Sequence, residues 1–253
     1  MANNYKLPYE QRVYSQHGED GIIEHLLSNI KNPTGVCVEM GWGQDSKKAR
    51  DGLAVNCTQN LVQNKGYQCF AFDLNVQNSI PANVTFYNEC IDPANCAEYL
   101  TRFPLDVDFF SLDIDSFDFE IMQGLLENSF RPKVICAEIN RNLGYDYEFS
   151  YPYVAGAKYN KHVFHGVSFK KYKTYLKTHG YEFFTLNSNG VNMFFYRPDE
   201  LHVDQLSAVT IQQVDEVAKK ALTLAELHTE IKNNSYWKNI TISNRHEIRN
   251  DRT

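Results

Sequence analysis

No Cys-x-x-Cys pair occurs among the six cysteines, Cys37, Cys57, Cys69, Cys90, Cys96 and Cys136, so a structural zinc site is not expected. Several of them fall in apolar, strand-like runs, where a thiol behaves as a small hydrophobe. No apolar run approaches the ~20 residues that cross a bilayer, so no membrane span is expected. No secretory leader pattern precedes Tyr5, and a reduced, cytoplasmic setting is the expectation that follows. Basic runs and stripes are missing too, and the formal net charge is −6, which disfavours a general nucleic-acid binder. No internal repeat is present. What remains is ordinary for a globular chain: 253 residues, 43% hydrophobic, enough for one full core with an appendage.

The informative stretch is Val36-Cys37-Val38-Glu39-Met40-Gly41-Trp42-Gly43. Alternating apolar residues make a short strand, Glu39 stands at its carboxyl end, and Gly41 and Gly43 follow. Glycine lets a backbone turn sharply and lets a ligand approach its N–H groups. In open α/β sheets, ligands bind outside the carboxyl ends of the strands. Upstream, Ile22, Ile23, Leu26 and Leu27 have the spacing of an amphipathic helix, with Ser15, Glu19 and Asp20 supplying oxygens at its start. The cluster Asn32-Pro33-Thr34-Gly35 ends it. A helix is expected over 49–64, strands over 68–73 and 84–88, and a short helix over 95–102. A fourth strand with its exit spans 107–115, a helix 117–127 and a nearly all-apolar fifth strand 133–140. Continuous apolar strands alternating with helices indicate a buried parallel sheet. A helix over 169–179 and two strands, 181–186 and 192–196, complete the pattern. Asn187-Ser188-Asn189-Gly190 between those strands is a hairpin signal.

Five strands thus end in acidic or polar groups: Glu39; Asp73; Asp92; Asp113 with Asp115; and Glu138 with Asn140. One such acid is an ordinary helix cap. Five on one edge repel each other unless a polyhydroxyl ligand, a cation, or both sit among them. Asp73, ending the second strand beyond a glycine-rich first loop, stands where a ribose is held by its hydroxyls. Position 46 is Ser46, so the Gly-x-Gly-x-x-Gly fingerprint is incomplete and a dinucleotide-dependent or nucleotide-sugar enzyme is disfavoured. A nucleoside without phosphates suits an acidic pocket better. S-adenosylmethionine, with its sulfonium and amino group, is such a ligand.

The chain resembles the FkbM-like branch of S-adenosylmethionine-dependent methyltransferases. The resemblance rests on Ser15-Gln16-His17-Gly18-Glu19-Asp20-Gly21-Ile22-Ile23, Val38-Glu39-Met40-Gly41-Trp42-Gly43, Ser111-Leu112-Asp113-Ile114-Asp115, Arg131-Pro132-Lys133-Val134, Ala137-Glu138-Ile139-Asn140 and Asn187-Ser188-Asn189-Gly190-Val191-Asn192-Met193-Phe194-Phe195, which together span residues 15–197. Trp42 and Gln44 depart from the small or acidic residues more usual in that glycine loop. The resemblance implies an α/β, Rossmann-like class I methyltransferase fold. That fold has a mostly parallel seven-stranded sheet, an antiparallel last hairpin and helices on both faces. On this division residues 1–199 form the methyltransferase domain, with 1–14 as an extension, and 200–253 form a C-terminal helical extension. The resemblance also implies roles for single residues. Glu39, Gly41 and Gly43 lie by the methionine part, Asp73 by the ribose, and Ile91 and Asp92 by the adenine. Gln16 lies beside the cofactor, and Asp113 faces both the amino group and the acceptor.

An oxygen acceptor must lose its proton, and two routes are open. In one, Asp113, Glu138 and Asn140 bind Mg²⁺ or Mn²⁺, similar to metal-dependent catechol-type methyltransferases, although Ile139 splits the acid–asparagine pair here. In the other, His162 or His165, in the long 141–166 connection, acts as the base, with His17 as a third choice. The aromatics Tyr145, Tyr147, Phe149, Tyr151 and Tyr153 make either a lid or a satellite apolar cluster. The expected activity is methylation, chiefly O-methylation, of a small-molecule acceptor. Its class is a sugar, a phosphoramidate or other phosphorylated intermediate, or a natural-product intermediate, in surface-polysaccharide or capsule biosynthesis. N-methylation and a catalytically inactive S-adenosylmethionine-binding module in a biosynthetic assembly are the alternatives. The apolar positions of 200–231 pack on the domain or form a homodimer contact.

Overall fold

The computed structural model describes residues 9–43, 56–75, 79–143, 148–151, 153 and 166–206. Seven strands form one sheet: β1 (Val36–Met40), β2 (Gln68–Asp73), β3 (Val84–Asn88), β4 (Phe109–Leu112), β5 (Val134–Glu138), β6 (Glu182–Leu186) and β7 (Asn192–Tyr196). Their spatial order is β3-β2-β1-β4-β5-β7-β6. β1 to β5 run parallel, and β7 lies antiparallel to both β5 and β6. The chain is therefore α/β, with the expected antiparallel final hairpin. From β1 it winds outward through β2 and β3, then returns to place β4 on the other side of β1. Helices are α1 (Glu19–Leu27), α2 (Gln59–Asn64), α3 (Cys96–Tyr99), α4 (Asp118–Glu127) and α5 (Phe169–Thr178).

Period-two alternation divides the strands between two cores. Val38, Met40, Phe110, Leu112, Ile135 and Ala137 face one side, under residues of α3, α4 and α5. Cys37, Phe109, Val134 and Cys136 face the other, with Ile22, Ile23, Leu26 and Leu27 of α1 and Leu61 and Val62 of α2. Glu39, Asp113 and Glu138 continue that second alternation past the last apolar rung. Side chains on a strand alternate by face, so the three acids share one face of the sheet's carboxyl edge.

The segment before α1 is not an idle extension. Asp20 Oδ2 accepts the N–H groups of Val13, Tyr14 and Ser15 and the Ser15 hydroxyl, while Asp20 N–H donates to Ser15 Oγ. The expected helix-start oxygens are thus used, but reciprocally and around a left-handed Gly18 at the cap. Glu10 Oε1 accepts Ser188 N–H and Oγ–H, tying this strap to the β6–β7 turn.

Tyr9, His25 and Phe184 stack, with the Tyr9 and His25 rings 4.4 Å apart and nearly parallel. Burial lowers the His25 pKa below its usual value, so the folded chain prefers a neutral ring. Its stabilisation is complete above about pH 6.5, where the unfolded chain is also neutral, and declines as the pH falls toward the folded pKa. His25→Phe is therefore expected to lose less stability than the wild type between pH 7 and pH 5 in urea unfolding. Parallel losses in the two proteins would remove this role.

At the opposite, amino-terminal rim a buried ion pair holds the loops. Lys133 Nζ lies 2.9 Å from Asp108 Oδ1 and donates to Asn32 O. Asp108 also accepts Thr34 and Gly35 N–H. The breaker loop read from Pro33 and Gly35 is thus stapled to the entries of β4 and β5.

Several expected spans shorten. Pro93 opens a short 3₁₀ turn, Pro93–Asn95, and α3 covers only four residues after it. Of the expected 49–64 helix, 59–64 is helical and 49–55 lies outside the described residues. The helical region expected over 200–231, and any homodimer contact through it, lies outside them from residue 207 onward. Among the described residues no helix is long and apolar enough to cross a membrane.

Candidate functional site at the carboxyl edge

The winding reverses between β1 and β4, and the carboxyl ends at such a reversal are the position where open α/β sheets take ligands. Gly41 lets the two strand exits approach closely. Its φ is +98°, and a Cβ there would lie 1.6 Å from Asp113 O, so only glycine lets the β1 exit pass against the β4 exit. Gly41 and Trp42 N–H both donate to Phe72 O, which locks the loop onto β2. Gly43 comes next to Asp73: a Cβ on Gly43 would sit 3.5 Å from Asp73 Oδ2. Two residues the sequence assigned to one ligand are thus neighbours.

Asp73 Oδ1 accepts Asn75 N–H at 2.6 Å, leaving Oδ2 toward the glycine loop. Burial raises the Asp73 pKa, and the Asn75 hydrogen bonds oppose the rise. Asn88 Nδ2 donates to the carbonyls of Asp73 and Leu74, bracing the β2 exit from β3. Asp92 caps the turn after β3 through Ala94 N–H and also receives the Tyr153 hydroxyl on both carboxyl oxygens, at 2.9 and 2.8 Å. Ile91 is half-buried against the core beside it. Tyr153 follows β5 in the chain yet lies at the exit of β3, its ring edge-on to Phe117 at 5.1 Å. Tyr153 therefore stands beside the exits of β3 and β4, while Tyr151 is buried with Phe149 edge-on to it. Tyr145 and Tyr147 lie outside the described residues.

Glu39 is buried and fully engaged by protein. Oε1 accepts Cys57 N–H, and Oε2 accepts Thr58 N–H and the Thr58 hydroxyl. Burial lifts its pKa to about 7 against those donors, with the Asp73 charge adding to the rise. Its geometry is that of an anchor for the chain returning into α2.

Beyond β4 the acids crowd. One carboxyl oxygen each from Asp113, Asp115 and Glu138 lies within 4.8 Å of the others. Leu112 pairs with Ala137, so Asp113 and Glu138 are the next rung of the same parallel register. Asp115 joins them because its φ is +55°, a left-handed turn that aspartate tolerates better than most residues. Asp118, at the start of α4, accepts Ile114 and Ser116 N–H and holds that turn. Asp113 is open to solvent by surface area, yet the surrounding protein and the nearby Asp118 and Asp115 charges raise its pKa. Glu138 is raised by burial first and by the Asp113 charge second.

The remaining expectations divide plainly. Asn140, 5% exposed, lies past β5 with its N–H on Val167 O and its Cβ facing Gly166. Gln16 is half-buried in the strap before α1, and exposed His17 donates its N–H to Glu19 Oε2. His162 and His165 lie outside the described residues. Sequence analysis did not single out Asp115 as a ligand, nor Glu19 and Asn192 as site residues. The Asp-x-Asp spacing at a strand exit was the available sign for the first. The other two meet only through the tertiary hydrogen bond from Asn192 Nδ2 to Glu19 Oε1. No protein-family model and no curated protein matches this chain.

Proposed function

We propose that the crevice between β2 and β5 is the site of an S-adenosylmethionine-dependent methyltransferase acting on a small-molecule acceptor with a hydroxyl to methylate. The observation that carries this is the convergence of Gly43 with the Asp73 carboxylate, and of Gly41 with the β4 exit, at the reversal point of the sheet. The donor set suits the cofactor. Asp73 Oδ2 is an acceptor for ribose hydroxyls, and carboxylates nearby favour a sulfonium and an ammonium. Glycine backbone allows close approach without a side chain in the way. When bound, the cofactor supplies an electrophilic methyl group.

Asp113 is the chain's candidate for taking the acceptor's proton. Burial first, then the Asp118 and Asp115 charges, raise its pKa to about 8, so once ionised it is a stronger base than an ordinary aspartate. Tyr153, hydrogen-bonded to Asp92, closes the β3 side and limits water. Holding the acceptor in line is the larger contribution, since orientation alone recovers about 7–11 kcal/mol in favourable cases. The acceptor classes are those named from the sequence, in a cytoplasmic setting.

Calorimetry with S-adenosylhomocysteine tests the cofactor half directly. The wild type is expected to bind, and Asp73→Asn to bind about tenfold more weakly, ~1.4 kcal/mol, with an unchanged unfolding midpoint. A wild type indifferent to S-adenosylhomocysteine, or an Asp73→Asn variant that binds equally well, would overturn the assignment.

A further inference from the structure

Four of the six thiols gather on one face of the sheet. Cys37, Cys69 and Cys136 are buried in the core beneath α1 and α2, and half-buried Cys57 packs against that core. They fall into two pairs. Cys37 stands opposite Cys69 in the β1–β2 register, and both are sealed at 0% exposure. Cys57 belongs to no strand, and contacts from two sides fix its place. Its N–H donates to Glu39 Oε1. Its thiol donates to the Cys136 sulfur, and the Glu39 and Glu19 carboxylates face both thiols.

The register gives the same placement. Glu39 pairs with Ser111, and Ser111 with Cys136, so the three side chains form one row on one face. Glu39 and Cys136 are two strand spacings apart, about 10 Å. Cys57 bridges that gap over Ser111, with its backbone on Glu39 and its sulfur on Cys136. Cys136 is held by β4 on one side and β7 on the other. Cys57 lies in the irregular segment that leads into α2, is part of no ladder, and is the thiol of the pair that solvent reaches. A fixed sulfur and a movable, partly accessible one in contact make a dithiol able to close.

We propose that Cys57 and Cys136 are a redox-active dithiol whose closure to a disulfide releases the Glu39 anchor. The oxidant class is a hydroperoxide. The Cys57 thiolate attacks the peroxide and becomes the sulfenic acid, while the peroxide O–O bond breaks and leaves as an alcohol or as water. The Cys136 thiolate then attacks the Cys57 sulfur and expels hydroxide, which leaves as water with the remaining proton. The pair gives up two electrons and the peroxide takes them. A sulfur–sulfur bond of about 2.05 Å draws Cys57 across Ser111 toward β5 and takes its N–H from Glu39 Oε1. Glu39 is 3% exposed, and a buried carboxylate that loses a donor is destabilised. The β1 exit, which carries Gly41 and Gly43, loosens with it. A thiol reductant reverses the change by exchange. The effect on the cofactor rests on the proposed function; the crosslink does not.

The test treats the full chain with hydrogen peroxide, blocks free thiols and maps the peptides without reduction by mass spectrometry. A linked Cys57–Cys136 peptide is expected, two hydrogens lighter than the sum of its parts and resolved by dithiothreitol. Calorimetry is expected to show S-adenosylhomocysteine bound about tenfold more weakly by the oxidised chain, the effect of one lost hydrogen bond to a charged group, with recovery on reduction. Cys57→Ser keeps the backbone N–H, and it is expected to form no such crosslink and to bind alike before and after peroxide. Cys136→Ala is expected to behave the same way, and Cys57→Ser decides alone should Cys136→Ala fail to fold. Cys90→Ser removes the exposed thiol after β3 and crosslinks like the wild type. A folded chain without the Cys57–Cys136 link after peroxide overturns the proposal, as does Cys57 passing to the sulfinic acid while Cys136 stays free. A reversible link that leaves cofactor affinity unchanged overturns the release of Glu39. If the link forms but neither redox state binds S-adenosylhomocysteine, methyl transfer falls and the dithiol stands.

Discussion

Gly41→Ala is expected to destabilise the protein by about 2–5 kcal/mol and to abolish S-adenosylhomocysteine binding at working concentrations. Two separate terms make up the figure. The positive φ of +98° is a conformation L-residues avoid, at roughly 1–2 kcal/mol. The new methyl would also stand 1.6 Å from Asp113 O and 2.6 Å from its carbonyl carbon. Those are backbone atoms and cannot swing aside, so the β4 exit must move, at roughly 1–3 kcal/mol for forced overpacking. The displaced segment carries Asp113 and Asp115, so the acidic rim moves with it.

Two companion substitutions separate these terms. Gly35→Ala has a positive φ of +72° but nothing within 4 Å of the new Cβ, so it measures backbone strain alone. Gly43→Ala meets only Asp73 Oδ2 at 3.5 Å, an ordinary contact. It should unfold like the wild type yet bind S-adenosylhomocysteine more weakly. Urea unfolding of all three and calorimetry of the folded ones check the set. Gly41→Ala with a loss no larger than that of Gly35→Ala would mean that the two exits are not in contact.

Lys133→Ala is expected to lose about 3–5 kcal/mol, the range for removing one partner of a buried ion pair. Both groups are sealed, Asp108 at 0% and Lys133 at 3% exposure, so desolvation decides the outcome. Without Lys133 the Asp108 carboxylate keeps the Thr34 and Gly35 N–H groups, and its charge is uncompensated. The exposed Asp106, 3.2 Å from the ammonium, contributes little to the pair by comparison. Burial also makes the loss insensitive to salt, because screening acts on solvent-exposed charges. Urea unfolding at low and high ionic strength reads both features. A loss under 1 kcal/mol, or one that salt erases, would show the pair behaving as a surface contact. The ligand edge lies at the other end of the sheet, so folded Lys133→Ala should still bind S-adenosylhomocysteine.

Much of this architecture was legible in the sequence because it follows from strand periodicity. The seven apolar runs became the seven strands, and each acid read at a strand exit stands at one. Burial by alternation is local information, and a single chain carries it. Contacts made by tertiary pairing were not legible. Glu39 read as a ligand group, yet the chain returning at Cys57 and Thr58 occupies both its oxygens. Asp115 was noted only as part of an exit; its approach to Glu138 depends on a left-handed backbone that sequence spacing does not encode. Asn192 looked like the end of a hairpin turn, and only its pairing with Glu138 puts it on the rim. Helix ends were missed where local caps won, as where Pro93 forces a tighter turn before α3.

The strap that joins Glu10 and Glu19 to Ser188, Asn187 and Asn192 has a kinetic consequence. Its hydrogen bonds span 168 to 178 positions of chain. Contacts of such long range raise relative contact order, and loop closure must precede any reward from them. During synthesis, Glu10 and Glu19 must wait for the β6–β7 turn and β7 before their carboxylates meet these donors. Maturation of the edge should therefore be the slow, final event of folding. A chain stopped short of the β6–β7 turn would leave buried Glu19 with only the His17 N–H of its present partners.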